Sequence, residues 1–303
     1  MLAADAAGIG EAIRLVLAGE AVAVPTETVY GLAADATNSQ AVAKIYAAKG
    51  RPSFNPLIVH VADLAAAAEL GRFNATARAL AKRWWPGPLT LVLPLREEAG
   101  LASAVTAGLD TVALRCPGHR VMQKLLGATG RPLAAPSANA SGTISPTSAE
   151  HVLKSLAGRI PLILDGGPTE RGVESTIVKV EGGGLRLLRP GPVALVRAAT
   201  DDAVRIEAPG QLASHYAPSK PLRLDAVAAE PGEWLIGFGS VEGDDNLSPS
   251  ASLDEAAARL FDALHRADAS RRPRIAVAPI PDEGIGLAIN DRLRRAAAPR
   301  NPR

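Results

Sequence analysis

The chain has 303 residues, 47% of them hydrophobic and 3% aromatic, with a formal net charge of +2. That length favours two domains over one core, and the apolar content excludes general disorder. The near-neutral balance and scarce aromatics exclude a global basic field and a stacking platform for single-stranded nucleic acid. The single cysteine, Cys116, excludes an internal disulfide and fits a cytoplasmic setting. Followed by Pro117 at a strand end, it reads as a small buried hydrophobe. The five histidines show no metal-ligand spacing. Residues 1–20 carry Asp5, Glu11 and Glu20 without a basic leader, so they read as a helix and not a signal peptide. No apolar run approaches the ~20 residues that span a bilayer.

In chain order, Ile9, Ile13, Val16 and Leu17 share one helical face that Gly19 stops. Residues 21–24 form a short apolar strand closed by Pro25. A helix follows over 39–48, with Ser39 as expected N-cap and Gly50 at its end. Residues 57–61 read as a strand, then two Ala-rich helices over 63–70 and 76–85. The run 89–95 is apolar almost throughout, which indicates a strand buried on both faces. Strands over 111–115, 133–135, 161–164, 176–180 and 185–188 and helices over 119–126 and 149–156 complete the first part. Gly182, Gly183 and Gly184 mark a hairpin turn. Strands over 221–224, 234–238 and 275–280 and helices over 253–267 and 285–295 form a second, smaller α/β unit. The expected fold is therefore α/β, with a twisted mixed open sheet followed by a smaller Rossmann-like domain. The boundaries are 1–200, a linker over 201–220, and 221–303.

Polar residues gather where apolar runs end, which is where α/β proteins place ligand loops. Pro25-Thr26-Glu27-Thr28-Val29-Tyr30-Gly31 is either a capped strand–loop connection or a seat for a small polar ligand. Lys49 and Arg51, flanked by Gly50 and Pro52, are either a solvated helix end or a grip on phosphate oxygens. Asn55-Pro56 stiffens that loop. His60 sits inside an apolar strand, as a satisfied core histidine or a ligand contact. Arg115 ends a buried strand and needs an anionic partner, from the protein or from a ligand. Ser137, Asn139, Ser141 and Ser145 share one long loop, and Arg189 ends another strand. The segment 211–218 has linker composition yet carries His215 and Tyr216. There is no Walker phosphate loop and no Gly-x-Gly-x-x-Gly after a strand.

Taken together, residues 25–32, Lys49-Gly50-Arg51-Pro52 with Pro56-Leu57, the 136–142 loop and Ser175-Thr176-Ile177 resemble the L-threonylcarbamoyladenylate synthase family. The resemblance covers residues 1–200. Gln211 to Pro218 and Ile289-Asn290-Asp291-Arg292-Leu293 resemble the linker and the end of the second domain in the family's long form. Two departures stand out: Ala140 where the family commonly has proline, and a short second domain. The resemblance implies a YrdC-like catalytic domain and a nucleotidyltransferase reaction. L-threonine, bicarbonate and ATP give threonylcarbamoyl-AMP and pyrophosphate for the threonylcarbamoyladenosine modification of tRNA. It implies Lys49, Arg51, Ser137 and Asn139 as the catalytic phosphate cradle. ATP contacts would be Arg51, Asn55, Thr111, Ser137, Ser145, Arg189 and Tyr216, the last on a linker folding over as a lid. Thr28, His60, Arg115, Ala135 and Ser175 would surround threonine. Mg2+ would ride on the phosphates of ATP, with no protein metal ligands. The product would pass to tRNA-modifying threonylcarbamoyltransferase proteins, with weak RNA binding and no membrane partner. The alternative is a non-catalytic RNA-binding module of the same fold.

Overall fold

The computed structural model describes residues 1–182, 184–195 and 207–299, together with the backbone of 198–200. Gly183 of the expected turn and residues 201–206 of the expected linker lie outside the described residues. The strands in chain order are β1 (Leu2–Ala3), β2 (Val22–Val24), β3 (Gly31–Asp35), β4 (Ile58–His60), β5 (Leu89–Pro94), β6 (Thr111–Arg115), β7 (Leu133–Ala134), β8 (Leu164–Asp165), β9 (Thr176–Glu181), β10 (Gly184–Arg189), β11 (Ala198–Thr200), β12 (Leu222–Arg223), β13 (Glu233–Gly237), β14 (Asp245–Asn246) and β15 (Arg274–Val277).

Nine of them form one mixed sheet in the order β11-β10-β9-β5-β6-β4-β7-β3-β2. β4 and β6 run parallel, as do β5 and β9, while β5 and β6 are antiparallel. β5 is buried from Leu89 to Leu93, as its unbroken apolar run requires. β12 to β15 make a separate sheet, all parallel, in the order β12-β15-β13-β14. The expected α/β class and the mixed sheet are both present.

Local chemistry sets the segments that matter for function. The helix Ser39–Lys49 is capped by the Asn38 side chain, which accepts from the backbone N–H groups of Gln40 and Ala41. The cap is thus one residue before the Ser39 read from the sequence. Gly50 ends the helix at φ 58, a left-handed conformation that glycine adopts without strain. That turn sends Lys49 and Arg51 inward, both buried. β3 escaped the sequence reading because Gly31-Leu32-Ala33-Ala34-Asp35 lacks β-branched residues. It forms through pairing with β2 and β7 on its two sides.

The main core packs Leu32, Val42, Ile45, Leu89, Leu91 and Leu114 between sheet and helices. A second core centres on the helix Leu253–Ala269, and it also takes in Val29, Ile144, Val173 and Tyr216 from earlier in the chain. The second sheet and its helices are therefore packed directly onto loops of the first. Cys116 is buried, its thiol donating to the Ala62 carbonyl.

Candidate active site

Strand direction collects the candidate residues at one end of the large sheet. His60 ends β4 and pairs with Arg115, which ends the parallel β6. β5 runs the other way, so its first residues lie level with Arg115, and Leu89 pairs with Thr176 at the start of β9. β10 returns antiparallel to finish at Arg189. Gly31, opening β3, bridges to Ser137 just past β7. Loops from seven strands thus meet over one edge.

They enclose a cavity of about 40 Å³. Thr28, Arg51, His60, Arg115, Ala135, Ser137, Arg189 and Tyr216 line it, all of them candidates from the sequence. Five further candidates stand just behind, each bonded to a neighbour. Lys49 Nζ donates to the carbonyls of Ser137 and Asn139, both at 2.5 Å. Asn139 is therefore tied to Lys49, and its amide nitrogen donates to Thr143 O. Asn55 accepts from Arg51 through Oδ1 at 2.7 Å. Ser145 Oγ donates to Glu174 Oε1 at 2.5 Å. Ser175 Oγ accepts from Arg189 Nη2 at 3.1 Å and exchanges a hydrogen bond with Thr90.

Thr111 is not brought into the cavity. It begins β6, four residues from Arg115 but on the same face, since side chains alternate along a strand. It lines a second hollow of about 610 Å³ with Arg72, Phe73 and Lys179. Ala208 packs on Ile58, Val92, Ala113 and Ile177, the stretch of sheet between the two hollows. Glu207, beside it, is held by Lys179 and Arg186. The segment 207–216 therefore runs as a strap across that face.

The electrostatics show a surplus of positive charge. Arg51 donates to Asn55 O, Asn55 Oδ1 and Pro56 O. Arg189 donates to Ser175 O, Ser175 Oγ and Pro209 O. Lys49 likewise meets only uncharged oxygens. None of the three has a carboxylate partner among the described residues. Burial, with Arg51 nearby, holds the Lys49 ammonium well below its usual range. Burial also brings the Arg51 guanidinium down to about 10. Buried cations without counter-ions are expensive unless an anion joins them.

The other half of the cavity is more balanced. Arg115 Nη2 donates to Glu27 Oε1 at 2.7 Å and Nε to Gly87 O. Its anionic partner in this structure is thus a protein carboxylate. Thr28 Oγ1 shares a hydrogen with Thr26 Oγ1 at 2.9 Å, and Thr26 Oγ1 donates to Val29 O. Burial and the Arg115 charge lower His60 to about 3, so its ring is neutral near pH 7. Three polar atoms of lining residues have no hydrogen-bond partner among the described residues: His60 Nδ1, His215 Nδ1 and Tyr216 Oη. Buried polar atoms are nearly always satisfied, so three orphans at one cavity mark a place for a polar ligand. Gly210, at φ 88, lets the strap pass this close, because a Cβ there would lie 2.7 Å from Tyr216 Oη.

The sequence reading named no role for Glu27, Glu174 or His215. Glu27 and Glu174 directly precede Thr28 and Ser175, so an acid at the mouth of a strand-end loop was the available signal. Neither acid is free: Glu27 serves Arg115, and Glu174 serves Ser145 and Arg292. No cluster of three or more metal-ligating side chains occurs among the described residues.

Comparison with known proteins gives the family. Residues 14–191 match the Sua5, YciO and YrdC family model, described as telomere recombination, and residues 185–298 match the threonylcarbamoyl-AMP synthase C-terminal domain. The chain is 43% identical to the threonylcarbamoyl-AMP synthase of Bacillus subtilis, over 96% of this chain and 93% of that one. It is 40% identical to the Pyrococcus abyssi protein of the same name, over 92% and 91%. The crystal structure of P. abyssi Sua5 complexed with L-threonine superposes with a TM-score of 0.88 at 38% identity, covering 95% of this chain and 94% of that one. The second domain, short as it looked, thus matches nearly full-length relatives. The chain belongs to the threonylcarbamoyl-AMP synthase family, in its two-domain form.

Proposed function

We propose that this protein joins L-threonine, bicarbonate and ATP into threonylcarbamoyl-AMP and pyrophosphate. The observation that carries the reading is the pair of buried guanidiniums, Arg51 and Arg189, that line one end of the cavity and meet only uncharged oxygens, with Lys49 just behind them. Such a surplus suits the triphosphate of a nucleotide. The other end offers the hydroxyl of Thr28, neutral His60 and Arg115, which suit a small hydroxylated amino acid.

The threonine amine attacks the bicarbonate carbon, water leaves, and a carbamate remains. A carbamate oxygen then attacks the α-phosphorus, the bond to the β-phosphate bridging oxygen breaks, and pyrophosphate departs. This chemistry needs alignment and charge neutralisation rather than a protein nucleophile. Arg51 and Arg189 neutralise the phosphates. Lys49 holds the carbonyls of Ser137 and Asn139, which fixes the backbone that faces the phosphates. Arg115, with Nη1 unused, takes the threonine carboxylate while Glu27 steadies it. Neutral His60 offers Nδ1 to the amino acid. Mg2+ belongs to this reading as a partner of ATP's phosphates and water, and no step above depends on it.

As closed in this structure, the cavity is far smaller than the several hundred Å³ a nucleotide requires. Nucleotide binding therefore requires the strap 207–216 to shift, which would join the cavity to the hollow beside Thr111. A lid on Tyr216 also shields the labile carbamate from water. The product then serves tRNA modification by a threonylcarbamoyl-transferring partner in the cytoplasm. Among the described residues no helix is long and apolar enough to cross a membrane.

The test is pyrophosphate release from ATP with bicarbonate and either threonine, serine or no amino acid. Strong release with threonine alone supports the reading. Threonine-independent release would refute threonine as the substrate, and no release with salt-dependent RNA binding intact would replace the reading with the RNA-binding alternative.

A further inference from the structure

We propose that Arg292, supplied by the second domain, is a positioning residue for the nucleotide end of the site and acts through Glu174. The proposal rests on the reading of the cavity as a nucleotide site. Glu174 lines the cavity that also holds Arg51 and Arg189. A free carboxylate there would repel phosphates and compete for the very cations meant to hold them. Arg292 removes that conflict.

The arginine is fully buried, at 0% exposure, on the helix Gly286–Ala297. Its Nε donates to Glu174 Oε2 at 3.0 Å and its Nη2 to the Glu174 carbonyl at 3.4 Å. Nη1 donates to Pro190 O at 2.6 Å and to Asp291 Oδ2 at 3.0 Å. Ser145 Oγ takes the other carboxylate oxygen. Glu174 is thus held through both oxygens and its charge is matched. The same guanidinium lies 5.5 Å from the centre of the Tyr216 ring, so one side chain fixes the cavity acid and a residue of the strap. Burial opposes the Arg292 charge, but Tyr216, Glu174 and Asp291 outweigh it and its pKa is raised.

Adhesion between the domains does not hang on this residue. Gly172 packs so tightly on the second domain's long helix that a Cβ would lie 2.4 Å from the carbonyls of Ala257 and Ala258. His265 reaches Ser145 O at 3.1 Å, and its ring stacks on His151 at 3.8 Å. Val173 and Ile144 lie in the second domain's core. The role of Arg292 is therefore electrostatic and local, and a variant is expected to keep its docked domains.

The experiment compares the parent, Arg292→Met and the pair Glu174→Gln with Arg292→Met. It measures KM for ATP and for threonine, kcat, and the affinity for ATP alone by calorimetry. Arg292→Met leaves a buried, unpaired carboxylate and should raise the ATP KM about tenfold or more, with kcat and threonine KM within about threefold. The paired variant removes that charge and should bring the ATP KM back to within about threefold of the parent. An ATP KM unchanged in Arg292→Met overturns the proposal. So does a folded paired variant as impaired as the single one, because that is the mark of a purely structural arginine. If Arg292→Met does not fold, the paired variant decides alone: an ATP KM within about threefold of the parent supports the proposal, and one raised about tenfold or more overturns it. If the parent releases no pyrophosphate, the catalytic reading fails, while calorimetry with ATP still tests Arg292 by the same pattern.

Discussion

Replacing Arg51 by methionine separates catalysis from folding. Its guanidinium makes three hydrogen bonds, to Asn55 O, Asn55 Oδ1 and Pro56 O. Asn55 O keeps a donor after the change, because Tyr46 Oη also reaches it at 3.0 Å. The main losses to stability are thus Asn55 Oδ1 and the Pro56 carbonyl, which are left without a donor at about 1–3 kcal/mol each. Against this, burial without a counter-ion has lowered the arginine to about 10. At roughly 1.4 kcal/mol per pH unit, that depression opposes folding at neutral pH by about 3 kcal/mol, which the variant recovers. The two effects oppose each other and leave a net loss of at most about 3 kcal/mol, so the variant should stay folded, with a melting temperature lowered by about 10 °C at most. Catalysis has no such offset. Losing a preorganised charge aimed at the phosphates should remove about 2.7–4 kcal/mol of transition-state stabilisation, a 10²–10³-fold fall in rate. The assay is initial pyrophosphate release at saturating threonine and bicarbonate with ATP varied, beside a thermal melt. A variant with kcat/KM for ATP within about threefold of the parent would refute the phosphate role. Lost activity together with a collapsed melt would refute the separation.

Arg115→Ala should raise the threonine KM more than the ATP KM and lower stability by about 3–5 kcal/mol, because Glu27 is left buried and unpaired; a denaturant melt and both KM values check this. Tyr216→Phe should leave the melting temperature unchanged or higher, since the hydroxyl it removes is buried without a partner. Burial holds His265 at about 3 and His151 at about 4. Both are lower than in an unfolded chain, near 6.5, so the unfolded state binds more protons as pH falls. Stability should therefore be flat above pH 6.5 and drop from there toward pH 4, by at most about 1.4 kcal/mol per unit for His265 and less for the more solvated His151. Urea melts from pH 7.5 to 4.5 read the slope, and His265→Gln should make it shallower without abolishing it, because burial lowers His60 and His215 as well.

Much of the site was legible because its residues sit at strand ends, and strand ends announce themselves by a switch from apolar to polar residues. Arg115, His60 and Arg189 each close such a run. The Gly50 turn was legible for the same local reason, and of the two cations beside it Arg51 lines the cavity while Lys49 stands behind it. What local sequence does not encode is partnership across the fold. Glu174 is separated from Arg292 by more than a hundred residues, and only the packing of two domains makes them a pair. Arg115 could have waited for a ligand, yet Glu27 was close enough to take it. β3 was missed because neighbours on both sides, not its own alanines, make it a strand. The strap also hid, since its composition is that of a spacer and its contacts with Ile58, Val92 and Ala113 are all distant in sequence.

The most direct measurement is the mass of the product formed from ATP, L-threonine and carbon-13 bicarbonate. An adenylate that contains threonine and is heavier by the label, formed together with pyrophosphate, is the expected result. An adenylate that carries threonine without the labelled carbon, or unchanged ATP, would contradict the claim that this cavity couples a threonine carbamate to a nucleotide.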